Sequence, residues 1–175
     1  MVDTFSRVGD TVRSRLTSSP KKQQVNALGT FLMTKHFLLG LPATTHGTLI
    51  NLTTSGAVSP LPNLSGYLLS KLVAMQLAAL VQVEGGDNVT SISVHPGLVL
   101  TDMVVEAFQR FALDTPELVG GTVVWLATEK ARFLGGKFVN VNWDVEELVE
   151  RKEQIVNGED LKITMGGRFG KDQFE

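Results

Sequence analysis

The chain has 175 residues, a net charge of −2 and no cysteine. This charge provides no broad cationic surface for nucleic acid, and the absence of cysteine excludes disulfides and thiol catalysis. The main apolar runs, 37–41 and 77–83, are shorter than the roughly 18 residues of a membrane span, and no apolar signal segment opens the chain. We therefore expect one globular domain, cytoplasmic by default, with no nucleic-acid partner, no membrane partner and no metal.

Secondary structure is predicted first for the N-terminal half. Apolar residues recur at helical spacing in residues 1–20, which predicts a short amphipathic helix followed by a linker. A second helix is predicted over 25–41, because Gly40 and Pro42 close this apolar stretch. The β-branched run 48–53 predicts a buried strand. It is followed by a predicted loop over 54–63 and a long predicted helix over 64–83.

The C-terminal half continues the alternation of strands and helices. Strands are predicted over 89–94 and 138–141. Helices are predicted over 103–111, from Pro116 to about 130, and over 144–156, the last being charged and exposed. This order is typical of an α/β fold with a parallel sheet of about three strands, right-handed crossovers and flanking helices.

Tyr67 and Lys71 are the strongest candidates for chemistry. They are four residues apart in a predicted helix, so both side chains share one face. A nearby ammonium favours the phenolate and lowers the pKa of a tyrosine from its ordinary value of about 10. The pair could then exchange protons near neutral pH. Such pairs also occur by chance on solvated helix faces, so the neighbouring residues decide its meaning.

Three further polar positions accompany this pair. Thr54 follows the first strand, at the sheet edge where open α/β sheets bind ligands, although its hydroxyl could also bond to a turn. Asn26 is a poor helix former inside a predicted helix. It could hold a water that relays protons to Lys71, or it could be a structural amide. Thr101 follows the turn at 96–97 and would face the same edge, unless that segment is only a turn.

Four motifs together carry a resemblance to a known family. They are Asn26-x-x-Gly29, Asn51-Leu-Thr-Thr54, Tyr67-x-x-x-Lys71 and Pro96-Gly97-x-x-x-Thr101. In their order and spacing, from about 24 to about 149, the chain resembles the C-terminal catalytic half of a short-chain dehydrogenase/reductase. The stretch 124–144 is similar to fungal members. The resemblance implies a truncated Rossmann-like fold, divided into an N-terminal segment (1–22), a catalytic half (23–150) and a C-terminal tail (151–175).

The resemblance also implies roles for individual residues. Tyr67 would be the general acid/base, and Lys71 would lower its pKa and bond the nicotinamide ribose. Thr54, or Ser55 if the loop is shifted, would position the substrate in place of the family's serine, and Asn26 would hold a proton-relay water. The implied substrate contacts are Ser55, Leu98, Thr101 and Met103. The implied nicotinamide-side loop, which would be vestigial in this chain, comprises Pro96, Gly97 and Thr101.

The family's phosphate-binding half is not found in this sequence. No Gly-x-x-x-Gly-x-Gly turn follows a predicted strand, and 166–170 precedes no helix. We therefore expect no cofactor, or NAD or NADP if the protein is an oxidoreductase after all. Our first hypothesis is a cofactor-independent isomerase, dehydratase or cyclase that acts on a small hydrophobic substrate, such as one of secondary metabolism.

The sequence also allows two alternative functions and predicts one oligomeric assembly. The chain could be an NAD(P)-dependent oxidoreductase whose N-terminal half is missing or supplied by another chain, or a non-catalytic partner of a full-length relative. The predicted helices 25–41 and 64–83 carry more apolar residues than one three-stranded sheet can cover. We therefore expect a homodimer through these helices, with 1–20 folding over the open edge of the first strand or onto the partner.

Overall fold

Three parallel strands form the centre of the fold. The computed structural model describes residues 20–164 except Pro60, Met103 and Val105; the helix predicted in the first 20 residues therefore lies almost wholly outside the described part. The strands are β1 (Gly47–Leu52), β2 (Val89–His95) and β3 (Phe138–Asn140), in the order β1-β2-β3. Both pairings are parallel. The predicted α/β fold with a small Rossmann-like sheet and flanking helices is thus confirmed.

The core is built around the central strand. All of β2 except His95 is buried, and its apolar residues Ile92 and Val94 are fully enclosed. Parallel strands need cover on both faces, and small hydroxyl residues between the apolar ones let the covering elements approach closely. The core cluster comprises Ile92, Val94, Leu126, Ala131, Leu134, Val139, Val141, Leu148 and Ile155. It is concentrated on the side of the sheet where β3 lies.

The first helical region differs from its prediction at the start. Its described part is already helical at Pro20 rather than from 25, as α1 (Pro20–Lys22), passes through a π-helical turn (Gln23–Leu28) and continues as α2 (Gly29–Gly40). A π-helical turn adds one residue per hydrogen-bonded ring, which local sequence propensities do not reveal. Along α2 only Thr34 is buried, so most of its apolar residues are exposed.

The long helix α3 (Ser65–Gly85) crosses between β1 and β2 and covers the sheet. Its buried residues include Ala74 and Ala78, whose small side chains bring the helix close to β2. One helical stretch of the described residues, Ser65–Asn88, is long and apolar enough to cross a membrane by length and composition alone. A single helix of this kind is weak evidence for a membrane span, because the core helix of a globular protein meets the same criteria.

Helices after β2 are shorter than predicted. Among the described residues of the segment expected over 103–111, helix is found in α4 (Glu106–Gln109) alone. The helix α5 (Pro116–Leu126) is capped by Thr115, whose hydroxyl accepts a hydrogen bond from Leu118 N at 3.3 Å. It ends four residues before the predicted boundary, and a 3₁₀ turn (Glu129–Leu134) follows. A further 3₁₀ turn (Ser55–Ala57) lies inside the predicted loop 54–63.

The predicted helix 144–156 is two helices, α6 (Val145–Glu150) and α7 (Lys152–Asn157), separated at Arg151. The expectation that this segment is simply exposed is wrong, because Leu148 and Ile155 belong to the core. The ammonium of Lys137, next to β3, donates a hydrogen bond to Ile155 O at 2.6 Å. Packing therefore continues past residue 150, where the sequence analysis places the start of a tail.

Candidate active site

The first two turns of α3 carry both Tyr67 and Lys71. The residues flanking the tyrosine, Gly66 and Leu68, are buried, which fixes the helix face on which Tyr67 stands. Lys71 Nζ lies 5.9 Å from the centre of the Tyr67 ring. The same ammonium donates a hydrogen bond to the carbonyl oxygen of Leu52 at 2.9 Å. This bond ties the pair to the last residue of β1, at the carboxyl edge of the sheet.

The protonation states of this pair differ from the expectation. Burial raises the pKa of Tyr67 above its ordinary value of 10.0, and no lowering effect of Lys71 accompanies it. Burial also lowers the pKa of Lys71 from 10.5. The expected lowering of the tyrosine pKa by the lysine is therefore wrong for this state, in which the ammonium bonds a carbonyl oxygen. The phenol of Tyr67 is protonated at neutral pH and can donate a proton.

The turn after β1 brings a hydroxyl to the same edge. Thr53 is buried and donates from both its backbone N (2.7 Å) and its Oγ1 (3.2 Å) to Val94 O. The next hydroxyl, Thr54 Oγ1, accepts from Gly56 N at 3.4 Å and caps the 3₁₀ turn. A Cβ on Gly56 would lie 2.9 Å from Leu68 Cδ2, so this turn packs directly against α3. Ser55 is exposed on the turn.

Asn26 is held against the helix that carries Tyr67. Its Nδ2 donates to Ser70 Oγ at 3.1 Å, and Ser70 Oγ in turn donates to Tyr67 O at 2.7 Å. Gln23, on the same π-helical turn, donates from Nε2 to Gly66 O at 2.9 Å. These bonds favour the structural alternative for Asn26, and a water relay from Asn26 to Lys71 stays a prediction. Sequence reasoning missed Gln23 and Ser70, although Ser70 is one helical turn from Tyr67.

The loop after β2 is held by an aspartate that the sequence analysis did not identify. Asp114 Oδ2 accepts from Leu98 N at 2.6 Å, and Oδ1 accepts from the side-chain amide of Asn142. Both bonds lower the pKa of Asp114 from 3.8. Thr101 is exposed at the far end of the loop, while Met103 lies outside the described residues. No local signal connects positions 16 residues apart, so only the fold reveals this contact.

The described residues do not fit a whole dinucleotide. Gly97 has a φ of +70°, and a Cβ at this position would lie 2.3 Å from Asp114 Oδ2. The local packing therefore explains why this position is a glycine, without a bound cofactor. Within 20–164 no glycine-rich turn joins a strand to a helix N-terminus in the manner of a pyrophosphate site. Tyr67, Lys71 and the loop after β2 fit at most the nicotinamide side. We therefore assign no step of chemistry to a bound nicotinamide.

Comparison with known proteins identifies the family. The family model for short chain dehydrogenases matches residues 14–111. The chain belongs to the short chain dehydrogenase family. It is 37% identical over 146 residues to the short chain dehydrogenase andI of Emericella variicolor, covering 81% of this chain and 50% of that protein. Identity to the short chain dehydrogenase mpl6 of Monascus purpureus is 36%, with the same coverage of both chains.

A solved structure shows the same fold. The oxidoreductase yciK of Escherichia coli superposes with a TM-score of 0.59 at 22% identity, covering 69% of this chain and 51% of that one. At this identity the likeness concerns the fold alone. The chain spans about half the length of the curated relatives it matches, which confirms the resemblance and the truncation relative to full-length members.

Proposed function

We propose that this chain is a proton-transfer catalyst in which Tyr67 donates a proton to an oxygen of a small hydrophobic substrate, without a nicotinamide cofactor. The observation that carries the proposal is the position of Tyr67 and Lys71 on one half-buried helix face, bonded to the carboxyl end of β1 through Leu52 O. Ligands of open α/β sheets bind at this edge.

The two side chains have complementary tasks. The raised pKa of Tyr67 keeps the proton on its phenol at neutral pH, so a proton is available for transfer. In the resting state Lys71 bonds Leu52 O and does not lower that pKa, so proton transfer requires the ammonium to turn towards the phenolate as the proton leaves. There an opposite charge nearby would favour the charged form of tyrosine, and Lys71 would stabilise the conjugate base.

Isomerisation, dehydration and cyclisation are compatible with such a site because none needs an external electron donor. In an isomerisation through an enol, Tyr67 donates its proton to the carbonyl oxygen while solvent water accepts the proton that leaves the neighbouring carbon. In the second half, the protonated water returns a proton to a different carbon and the enol oxygen returns its proton to the Tyr67 phenolate. Apolar residues of the loop after β2, among them Leu98, suit a hydrophobic substrate. The fungal relatives carry the name short chain dehydrogenase. The proposal includes a substrate of secondary metabolism for this chain.

The test uses 2-tetralone, a hydrophobic ketone with exchangeable α-hydrogens, in D2O at neutral pH with no nicotinamide present. Proton NMR follows the loss of the α-hydrogen signal. We expect the wild-type chain to accelerate exchange above the buffer rate and Tyr67→Phe to lose roughly 10²–10⁴-fold of that acceleration, the usual contribution of a general acid.

A matched control is Lys35→Met, which removes an exposed lysine from α2 and should leave the exchange rate unchanged. Lys71→Met should lower the rate, because the phenolate then loses its facing ammonium. An undiminished rate in Tyr67→Phe would refute acid catalysis by Tyr67 and leave only a binding pocket.

A nicotinamide-dependent oxidoreductase is the second candidate. It is favoured by the relatives' names and by the coverage of only half of their length, since the remaining half could accompany this one. Calorimetric titration of the chain with NADH and with NADPH separates the two. The first proposal predicts no binding tighter than about millimolar, near −4 kcal/mol, because contacts on the nicotinamide side are only part of a full site. Micromolar binding would favour the oxidoreductase instead.

A further inference from the structure

Asp114 joins three separate segments at the carboxyl edge of the sheet. Its Oδ2 accepts from the backbone of Leu98 and its Oδ1 from the side chain of Asn142, which follows β3. Its backbone N also donates to Leu98 O at 3.3 Å, next to an isolated parallel bridge between Val99 and Asp114. One residue just before α5 therefore fastens the loop after β2 to the end of β3.

The loop is shaped to receive this carboxylate. Gly97 takes a left-handed backbone conformation, at φ +70°, that L side chains rarely adopt. A Cβ added there would lie 2.3 Å from Asp114 Oδ2 and 2.7 Å from Asp114 Cγ. The glycine thus leaves space for the carboxylate, and the turn directs Leu98 N–H at it. Gly97 and Asp114 fit each other, although they are 17 positions apart in the chain.

We infer that Asp114 is a positioning residue that orders the 96–101 loop and thereby sets how tightly this edge binds substrate, a functional role that rests on the proposed function. The carboxylate is 2.6 Å from Leu98 N, a short, charge-assisted bond of the stronger kind. Asp114 makes no bond to Tyr67 or Lys71 in the described part of the chain. It acts on substrate binding through the loop and takes no part in the proton transfer.

One titratable group faces the carboxylate from the neighbouring strand. His95, at the end of β2, interacts with the charge of Asp114, which opposes the lowering of the histidine pKa by burial. Its Nδ1 is buried and has no hydrogen-bond partner among the described residues. The backbone O of His95 accepts from Val141 N at 3.1 Å, so the histidine is anchored to the segment after β3. Asp114 is charged at neutral pH, because its pKa lies below 3.8.

Amide hydrogen exchange at Leu98 tests the inference directly. In Asp114→Ala the Leu98 N–H loses its acceptor, and we expect its exchange to accelerate at least about tenfold, the effect of losing a hydrogen bond to a charged group. The control is Asp102→Ala, which removes an exposed carboxylate from the same stretch of chain and should leave Leu98 protection within about twofold.

A second measurement needs no variant and so survives any folding defect. In the wild-type chain, the proton shift of the Leu98 amide should titrate in acid with a midpoint below 3.8, because the carboxylate that it bonds is protonated there.

With 2-tetralone as substrate, Asp114→Ala should raise KM several-fold and leave kcat unchanged, whereas a general loss of structure would lower kcat.

The outcomes separate this inference from the proposed function. Unchanged Leu98 exchange in Asp114→Ala, or a Leu98 amide that does not titrate below 3.8, overturns the ordering role whatever Tyr67 does. A loosened loop with unchanged KM overturns the binding role. Full activity in Tyr67→Phe contradicts only the proton transfer, because Tyr67 makes none of these bonds, and the two amide measurements then still decide whether Asp114 orders the loop.

Discussion

Lys71 Nζ and Leu52 O lie 2.9 Å apart, so the lysine of the candidate pair is bonded to the last residue of β1. This bond joins α3 to the edge strand of the described sheet and explains why the ammonium stands beside the Tyr67 ring instead of extending into solvent. The position of the chemistry and the stability of the edge therefore depend on the same side chain.

Replacing Lys71 should lower stability as well as activity. Lys71→Met keeps the apolar stem but removes the donor to Leu52 O, and we expect a loss of about 1 kcal/mol in the free energy of unfolding, since the bond is partly open to solvent. Urea denaturation measures the difference. Lys35→Met should change stability by less than about 0.5 kcal/mol. Equal effects of the two substitutions would show that the bond to Leu52 contributes nothing.

Two buried serines should respond oppositely to loss of the hydroxyl. Ser70→Ala removes the link between Asn26 Nδ2 and Tyr67 O and should cost about 1–3 kcal/mol, because it leaves a half-buried amide without its acceptor. Ser91 Oγ is buried with no partner among the described residues, so Ser91→Ala should be neutral or stabilising. Thermal unfolding compares the pair, and a larger loss for Ser91→Ala would contradict this assignment.

Two glycines give a similar contrast. Gly97→Ala combines a strained positive φ with a Cβ 2.3 Å from Asp114 Oδ2, and we expect it to destabilise the chain by about 1–3 kcal/mol. Gly120 lies within α5 with open space where a Cβ would be, so Gly120→Ala should stabilise by about 0.5–1 kcal/mol. Chemical denaturation measures both, and a harmless Gly97→Ala would disprove the close fit at Asp114.

The contribution of Asp114 to stability should depend on pH. Its folded pKa lies below the ordinary 3.8, so its stabilisation is complete above about 3.8 and is lost as pH falls through the folded pKa. The difference in unfolding free energy between the wild type and Asp114→Asn should therefore shrink in this acid range. Repeating the comparison with His95→Gln added to both proteins removes the titration of the histidine that faces Asp114. A difference that stays constant down to about pH 2 would contradict the lowered pKa.

The sheet and the candidate pair were predictable because both depend on local patterns. The strand near Ile50 is β-branched and bounded by turn residues, and a spacing of four places Tyr67 and Lys71 on one helix face. Helix interruptions were not predictable, since the π-helical turn around Asn26 and the break at Arg151 depend on tertiary packing. Local patterns also do not predict the raised pKa of Tyr67, because burial in the folded chain causes it.

The exposed apolar surface of the π-helical turn, α2 and α3 underlies the last prediction. Met75, one of the residues expected to lack cover, is buried against the sheet. Others remain open, including Leu28 (51% exposed), Phe31 (49%), Val73 (45%) and Leu80 (48%). Large contiguous apolar patches are uncommon on soluble monomers and typical of protein interfaces, so these open side chains are candidates for an interface. Among the described residues β1 pairs only with β2, so its other edge is also available.

We propose that a second copy of the chain covers this surface, forming a homodimer through the helices predicted over 25–41 and 64–83. Light scattering at micromolar concentration should then report twice the chain mass of 19.0 kDa. Phe31→Glu should shift the protein toward monomer, because a dimer would bury an unpaired carboxylate at its interface. Val124→Glu, at an exposed apolar position on α5, is the control and should leave the mass unchanged. A wild-type chain that remains a 19.0 kDa monomer at this concentration would show that no second copy is needed to cover these helices.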